Sequence, residues 1–307
     1  MPRFGFNLQL EEYSVDLAVK TAKTLEDLGL NAIFVNDHYM KPNGNNLPDA
    51  FLTLTAIAAQ TRSLKIGTAV TPIPFRSAPQ TAKIVSTLDN ISRGRFLFGV
   101  GAGWYEAEFA AYGSQFPCAR ERVSKTIEGI RVMKRLWTEE EVTFEGKYYQ
   151  IKASVLLPKS VQTPYPPILV GSRSPRMCRF AAREGDGWIP FHLPPEDYLD
   201  IKDNMAIEAE KCGRRADDLM FAYCTRILTG AHREQVLKSA SRDEISAIEA
   251  KYLVGPPEEC IDQLGRYADI GVDLILLRLQ LPTKTPFTDE SHDQQIEFIS
   301  DEIISRL

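Results

Sequence analysis

Eight short apolar segments alternate with amphipathic helical segments along this chain, and this alternation limits the possible folds more than any other feature. The apolar segments lie at 3–9, 32–35, 64–70, 95–100, 168–170, 185–189, 219–224 and 272–277. Such segments are typical of strands buried on both faces, as in a parallel sheet covered by helices. Eight such units within 307 residues favour a closed (β/α)8 TIM barrel, an α/β fold, over an open sheet.

The alternation is interrupted after the fourth strand. A long helix is predicted at 120–137, and an insertion near the top of the barrel follows at about 138–166, with a hairpin at 141–152. Residues 231–254 predict a less regular helical segment, and 288–307 predict an acidic C-terminal helix. We expect a single domain over 1–307.

Composition excludes several classes of protein. The chain has 36 Lys and Arg against 41 Asp and Glu, and no basic run exceeds a pair, so no nucleic-acid partner is expected. No apolar stretch is long enough to cross a membrane, and no signal-peptide pattern precedes the first strand. We therefore expect a cytoplasmic protein with five reduced cysteines. Histidines and cysteines share no ligand spacing, which predicts no metal site.

Polar residues follow the apolar segments at the carboxyl ends of the predicted strands, where a parallel barrel places its active site. His38 follows the second strand directly after Asp37; other strand ends carry Asn7, Gln9, Arg278 and Gln280. Because histidine titrates near neutral pH, His38 in a cleft could move a proton, and Asp37 could set its tautomer or hold a charge. Alternatively, His38 only hydrogen-bonds a neighbouring loop.

The GVGAG segment at 99–103 is not a dinucleotide fingerprint, because Trp104 occupies the position of the third glycine. Glycines here could let the backbone approach a flat ligand, with Trp104 as an aromatic wall. A tight turn followed by a core tryptophan would produce the same pattern.

The segment SRSPR at 172–176 predicts the start of a helix, with Ser174 as N-cap and Pro175 as the first helical residue. The free N–H groups of such a start attract phosphate, and Arg173 and Arg176 would add charge-assisted hydrogen bonds. The alternative is a plain capped helix with two solvated arginines.

Taken together, the motifs resemble the luciferase-like monooxygenase superfamily. The resemblance covers about 4–279 and rests on Asp37-His38, GTAVTP at 67–72, Phe75-Arg76, PQTAK at 79–83, SRGRF at 92–96, FGVGAGWYEAEF at 98–109, EGKYY at 145–149, PPILVG at 166–171, AAR at 181–183 and GDGW at 185–188. The version at 101–108 is similar to the branch that uses the deazaflavin coenzyme F420 rather than FMN.

The resemblance implies a flavin-type ring lying across the strand ends, a non-proline cis peptide at Ala69–Val70 behind it, and His38 beside the reacting centre. It implies that the cofactor is bound by Asp37, Ala69, Val70, Thr71, Gly101, Ala102, Gly103, Trp104, Gly171, Ser172, Arg173, Ser174 and Arg176. In the sugar-phosphate dehydrogenases of this branch, a glutamate takes the place of Trp104 and a tryptophan that of Pro42. Oxidation of glucose 6-phosphate by their mechanism is therefore not expected.

The activity expected from the resemblance is hydride transfer between carbon 5 of F420 and a small organic substrate, either an alcohol or carbonyl compound or an activated double bond. The substrate pocket is expected to be lined by residues of 138–166, by Phe191 and His192, and by Arg278. The alternatives are an FMN-dependent monooxygenase on the same barrel and a non-catalytic protein that binds a flavin or deazaflavin. A homodimer is also implied.

Overall fold

The strands of this protein close into a parallel barrel. The computed structural model describes residues 1–10, 13–41, 47–230, 233, 252–279 and 289–307. Its strands are β1 (Arg3–Leu8), β2 (Ala32–Val35), β3 (Lys65–Thr68), β4 (Thr71–Pro72), β5 (Phe96–Gly101), β6 (Val142–Glu145), β7 (Gln150–Ser154), β8 (Ile168–Val170), β9 (Gly187–Trp188), β10 (Met220–Leu228), β11 (Leu253–Val254) and β12 (Leu274–Leu279). In these ranges, parallel pairing runs β1–β2–β3–β5–β8–β9–β10–β12 and returns to β1. The predicted (β/α)8 barrel is confirmed.

Helices surround this barrel. They are α1 (Val15–Asp27), α2 (Ala50–Gln60), α3 (Ala78–Ser92), α4 (Glu106–Ala111), α5 (Ala119–Thr138), α6 (Pro175–Glu184), α7 (Pro195–Glu210), α8 (Pro257–Asp269) and α9 (Asp289–Glu302), with 3₁₀ turns at Ala216–Asp218 and Ile304–Arg306. Side-chain caps fix some of the starts: the Ser14 hydroxyl accepts from the Leu17 N–H at 3.1 Å, and Asp49 accepts from Phe51 at 2.9 Å. Across the described residues, no helix combines the length and the apolar character that crossing a membrane requires.

Apolar side chains fill two layers, one inside the barrel and one between the barrel and its helices. Because successive strand residues point to opposite sides, Phe34 of β2 lies inside, whereas Ile33 and Val35 pack towards the helices. Leu97, Leu169 and Leu276 share the interior with Phe34. Both faces of the strands that form the barrel are therefore buried, which explains the continuous apolar segments in the sequence.

The insertion after the fourth barrel strand contains the predicted hairpin, formed by the antiparallel strands β6 and β7. Its turn is fastened to α5, where the Glu128 carboxylate accepts from the Tyr148 N–H at 2.6 Å. Further on, Gln162 donates to Asp89 near the end of α3 and to the carbonyl of Phe96 at the start of β5. The expectation that 138–166 lies near the barrel top is wrong for its second half, because these bonds draw it to the opposite end of the barrel.

Two other elements of the structure, β11 and α4, were not predicted from the sequence. Leu253–Val254 pairs with β10 as strand β11, although the sequence predicted a helical segment at 231–254. Most of that segment, at 231–232 and 234–251, lies outside the described residues. The short helix α4 was not predicted. The C-terminal helix is confirmed over Asp289–Glu302.

Candidate active site

A cavity of about 540 Å³, called the mouth cavity below, opens at the carboxyl ends of the barrel strands. This volume lies in the range of about 300–1,000 Å³ that is usual for small-molecule and cofactor sites. Of the predicted site residues, its wall contains His38, Ala69, Val70, Gly101, Ala102, Gly103, Trp104, Gly171 and Ser172. The fold therefore brings the ends of several strands around one hollow.

Val70 forms part of the wall between β3 and β4. The Ala69–Val70 peptide is cis, as the resemblance implied. A Cβ on Gly101 would lie 2.7 Å from one Val70 methyl, and a Cβ on Gly171 would lie 2.6 Å from the other. These glycines therefore make room for Val70, whereas the sequence suggested that a glycine here would make room for a ligand.

Trp104 is an exposed wall of the mouth cavity and not a core residue. Its side chain is 62% exposed, and its ring meets the ring of His38 edge-on, with 5.8 Å between centroids. The turn before it needs glycine, because Gly103 has φ +75° and its Cβ would lie 2.7 Å from the Phe109 ring. The structure therefore combines the two alternatives predicted for this segment: Gly103 forms a tight turn, and Trp104 forms an aromatic wall.

His38 is paired with Glu108 from α4. The His38 Nδ1 lies 2.9 Å from the Glu108 Oε2, and Glu108 is only 1% exposed. The other oxygen, Oε1, accepts from the backbone N–H groups of Tyr39 at 2.5 Å and Met40 at 3.3 Å. Burial alone would raise the pKa of Glu108, but the hydrogen bonds from His38 and the backbone outweigh it and hold the pKa below its usual value.

Asp37 does not serve His38, which corrects the sequence-based expectation. Its carboxylate accepts from Arg76 Nη2 at 2.7 Å and from Nε at 3.0 Å. Arg76 also reaches Asp49, at 2.9 Å, and its guanidinium packs on the Tyr39 ring. Burial alone would lower the pKa of Arg76, but Asp37 and Asp49 raise it, so this cation persists beside the two carboxylates.

Asp37 and Thr71 are buried and are not among the residues that line the mouth cavity. Their predicted role as direct contacts of a cofactor therefore finds no support in the geometry. Asp37 instead lies in an ion-pair cluster, where two hydrogen bonds from Arg76 hold it. It can support the loop that carries His38.

The start of α6 has the predicted capped geometry. The Ser174 hydroxyl accepts from the Met177 N–H, and Pro175 is the first helical residue. The Ser172 hydroxyl, which belongs to the mouth cavity, lies 3.2 Å from that of Ser174. Arg173 and Arg176 are exposed and lie outside the wall of the mouth cavity. This helix start is therefore at the edge of the cavity, where it can bind the anionic end of a longer ligand.

Part of the cavity wall is basic. Lys41, Arg226 and Arg278 all line it, and the two arginines are neighbours in register on β10 and β12. The Lys41 ammonium donates to the side chain of Gln9 at 2.9 Å. Together with His38, these groups give the mouth cavity a chemistry suited to an anionic ligand or a developing negative charge.

The predicted substrate walls are confirmed in part. Phe191 and Arg278 line the mouth cavity, whereas His192 lies in a separate, smaller cavity beside Tyr252. No residue of 138–166 is in the cavity wall, so that prediction is wrong. Gln280 lies outside the described residues.

Three functional candidates were missed from the sequence: Lys41, Glu108 and Arg226. Arg226 was missed because the seventh strand was predicted to end at Cys224, whereas β10 continues to Leu228. Glu108 carries a weak signal, an acidic residue beside Phe109 on one face of a six-residue helix. Only the packing of α4 against the loop after β2 reveals its partner.

Comparison with known proteins agrees with this architecture. The family model described as luciferase-like monooxygenase matches residues 3–245. The F420-dependent glucose-6-phosphate dehydrogenase of Microbacterium testaceum (strain StLB037) is 26% identical over 99% of this chain and 97% of its own length. The enzyme of the same name from Amycolatopsis mediterranei (strain U-32) is 30% identical, but that match spans only 62% of this chain and 57% of the relative.

Among solved structures, an F420-dependent secondary alcohol dehydrogenase in complex with an F420–acetone adduct superposes with a TM-score of 0.84. It is 20% identical and covers 99% of each chain, which establishes a common fold. The family model accounts for 243 of the 307 residues (3–245), well over half of the chain. This chain therefore belongs to the luciferase-like monooxygenase family.

Proposed function

We propose that this protein is an F420-dependent oxidoreductase. It transfers a hydride between carbon 5 of the deazaflavin and a small organic substrate, either an alcohol or carbonyl compound or an activated double bond. The observation that carries the proposal is the His38–Glu108 pair in the wall of the mouth cavity, next to Trp104. Relatives named as F420-dependent dehydrogenases support the choice of cofactor.

The residues of the mouth cavity fit such a cofactor in shape and in charge. Val70 and Trp104 offer apolar surface to a flat ring, and 101–104 and 171–172 would flank it. The start of α6, with Arg173 and Arg176, would take the phosphate, since free N–H groups and guanidinium groups favour an anion. When bound, F420 would supply the two-electron hydride chemistry.

In this proposal, His38 moves the proton that accompanies the hydride. Its side chain is 16% exposed and belongs to the cavity wall, so a bound substrate could reach its ring. A positioned acid or base contributes roughly 10²–10⁴-fold to a rate. The enclosing wall would hold the reacting groups together, which supplies much of the remaining acceleration.

Fluorescence titration of the purified protein with F420 and, separately, with FMN tests the choice of cofactor. We expect binding of F420 and little binding of FMN. Binding of FMN alone would replace the proposal with an FMN-dependent monooxygenase. Binding of F420 without turnover of any compound in a panel of alcohols, aldehydes and enones would favour a non-catalytic cofactor-binding protein.

Replacing His38→Ala tests the catalytic role. We expect the turnover rate to fall by roughly 10²–10⁴-fold, because the proton donor or acceptor is lost, while the affinity for F420 stays nearly unchanged. His192→Ala is the matched control, since His192 lies in a different cavity. Unchanged turnover in the His38 variant would reject the assignment.

A further inference from the structure

Glu108 has its hydrogen bonds fixed by the fold. One carboxylate oxygen, Oε1, is held by the backbone N–H groups of Tyr39 and Met40, at 2.5 and 3.3 Å. The other oxygen, Oε2, lies 2.9 Å from His38 Nδ1. Because both backbone donors belong to the loop that carries His38, the carboxylate and the imidazole are positioned by the same segment.

The donor and acceptor roles in this contact follow from elementary chemistry. An ionised carboxylate can only accept hydrogen bonds, so Nδ1 of His38 must carry the hydrogen that joins it to Oε2. The carboxylate is ionised near neutral pH, because its hydrogen bonds outweigh its burial and hold the pKa of Glu108 below the usual value. In a neutral imidazole with hydrogen on Nδ1, the lone pair is on Nε2.

We propose that Glu108 is a positioning residue that keeps neutral His38 in the Nδ1–H tautomer, so that Nε2 is the atom that accepts a proton in the mouth cavity. The part of Nε2 in turnover rests on the function proposed above, whereas the tautomer does not. Asp37, although adjacent in sequence, does not take this part, because its oxygens accept from Arg76 while Nδ1 of His38 lies against Glu108.

The proposal gives a balanced step for an alcohol substrate. The O–H bond of the alcohol breaks and its proton passes to Nε2 of His38. The carbon that bears this oxygen would lose its hydrogen as a hydride, so that the alcohol becomes a carbonyl compound, and F420, when bound, would supply the two-electron oxidant that accepts the hydride. The resulting imidazolium lies against the Glu108 carboxylate, which stabilises the new positive charge.

The variant Glu108→Gln separates positioning from simple packing. The glutamine side chain has the size of glutamate but only one oxygen. That oxygen must accept from the backbone N–H groups of Tyr39 and Met40, because an amide NH₂ can only donate. The amide NH₂ then faces His38 Nδ1, which must accept, so the hydrogen moves to Nε2. Glu106→Gln is the matched control, because Glu106 is exposed on the same helix.

The tautomer is measured without cofactor or substrate, by ¹⁵N NMR of the protein labelled at histidine, with the His38 signals assigned from His38→Ala. We expect Nδ1 protonated and Nε2 unprotonated in the native protein and in Glu106→Gln, and the reverse in Glu108→Gln. A native protein in which neutral His38 carries its hydrogen on Nε2 would overturn the proposal. This measurement is made on the native protein, so it does not depend on whether a variant folds. An unchanged tautomer in a folded Glu108→Gln would overturn it equally.

Steady-state kinetics provide the second readout. Exchange of a buried carboxylate that orients a catalytic histidine for its amide can cost about 10⁴ in kcat through the wrong tautomer. We expect a loss of roughly 10²–10⁴ in kcat for Glu108→Gln, with KM little changed. If the tautomer reverses as expected but His38→Ala retains full turnover, the positioning role stands and the proposed function fails.

Discussion

Single residues show how closely the wall of the mouth cavity is packed. Val70 fills the space that side chains on Gly101 and Gly171 would need. The glycines on neighbouring strands are therefore required by a protein side chain, before any ligand is considered. This requirement has a direct test.

Gly101→Ala should destabilise the protein by about 1–3 kcal/mol, because its Cβ would lie 2.7 Å from a Val70 methyl and must displace it. Displacement of Val70 should also weaken F420 binding. Gly265→Ala is the control: Gly265 lies within α8 with no atom near its Cβ position, so alanine should stabilise by about 0.5–1 kcal/mol. Urea unfolding measures both, and a Gly101→Ala protein of native stability would contradict the packing argument.

The failed assignment of Asp37 has a physical reason at this scale. Adjacent residues that continue from a strand project to opposite sides. His38 accordingly reaches the mouth cavity, whereas Asp37 turns away from it and contacts Arg76. Because adjacent residues face opposite sides, the position of Asp37 next to His38 was evidence against a contact between them. The carboxylate that contacts His38 belongs to Glu108, 70 residues further along the chain.

At the scale of elements, local signals predicted helix starts well. Ser174 and Pro175 begin α6, and Ser14 caps α1, as their sequence context indicates. Very short elements were missed, because α4 has six residues and β11 two, too few to establish a period. Their existence depends on the surfaces they pack against.

The start of α6 is tested by Ser174→Ala. Loss of the cap should cost about 0.5–2 kcal/mol and should also weaken F420 binding, if the phosphate lies at this helix start. Ser14→Ala removes an equivalent cap from α1, which does not line the mouth cavity, and should cost similar stability without a change in affinity. Thermal unfolding and fluorescence titration separate the two effects. Equal affinities in both variants would place the phosphate elsewhere.

At the scale of the whole molecule, the carboxylate of Glu26 links two successive βα units. Glu26 at the end of α1 accepts from the backbone N–H groups of Arg62, Ser63 and Leu64, at 2.9, 2.6 and 3.0 Å. Burial is the largest single influence and would raise the pKa of Glu26, but the hydrogen bonds from Ser63, Arg62 and Leu64 together outweigh it and lower the pKa from 4.5 to about 2. The carboxylate therefore joins the first unit to the loop that leads into β3.

The stability that Glu26 provides should depend on pH in a defined direction. Because its pKa is lowered in the folded state, the contribution is complete above about pH 4.5 and is lost as pH falls towards 2. Glu26→Gln should therefore reduce the free energy of unfolding near neutral pH, by about 1 kcal/mol because solvent screens this partly exposed carboxylate, and by less at about pH 3. Asp27→Asn, exposed beside it, is the control. A pH-independent difference in urea unfolding would contradict this account.

A homodimer, a single domain and a cytoplasmic location stay predictions of the sequence. The first is checked by the mass in solution, which should be about twice the 34.5 kDa of the chain. Exposed Leu52 and Ile91, on α2 and α3, are apolar positions that a second copy could cover.

The sequence by itself determined the barrel, its eight strands and the capped start of α6, because continuous apolar segments and N-caps are properties of neighbouring residues. It also placed His38, Val70 and Trp104 at strand ends, where barrel closure brings them together. Only the tertiary structure decided the partners: Glu108 for His38, Arg76 for Asp37, and the outer surface of the helices for the insertion. Such pairings join residues far apart in the chain, and no local periodicity encodes them.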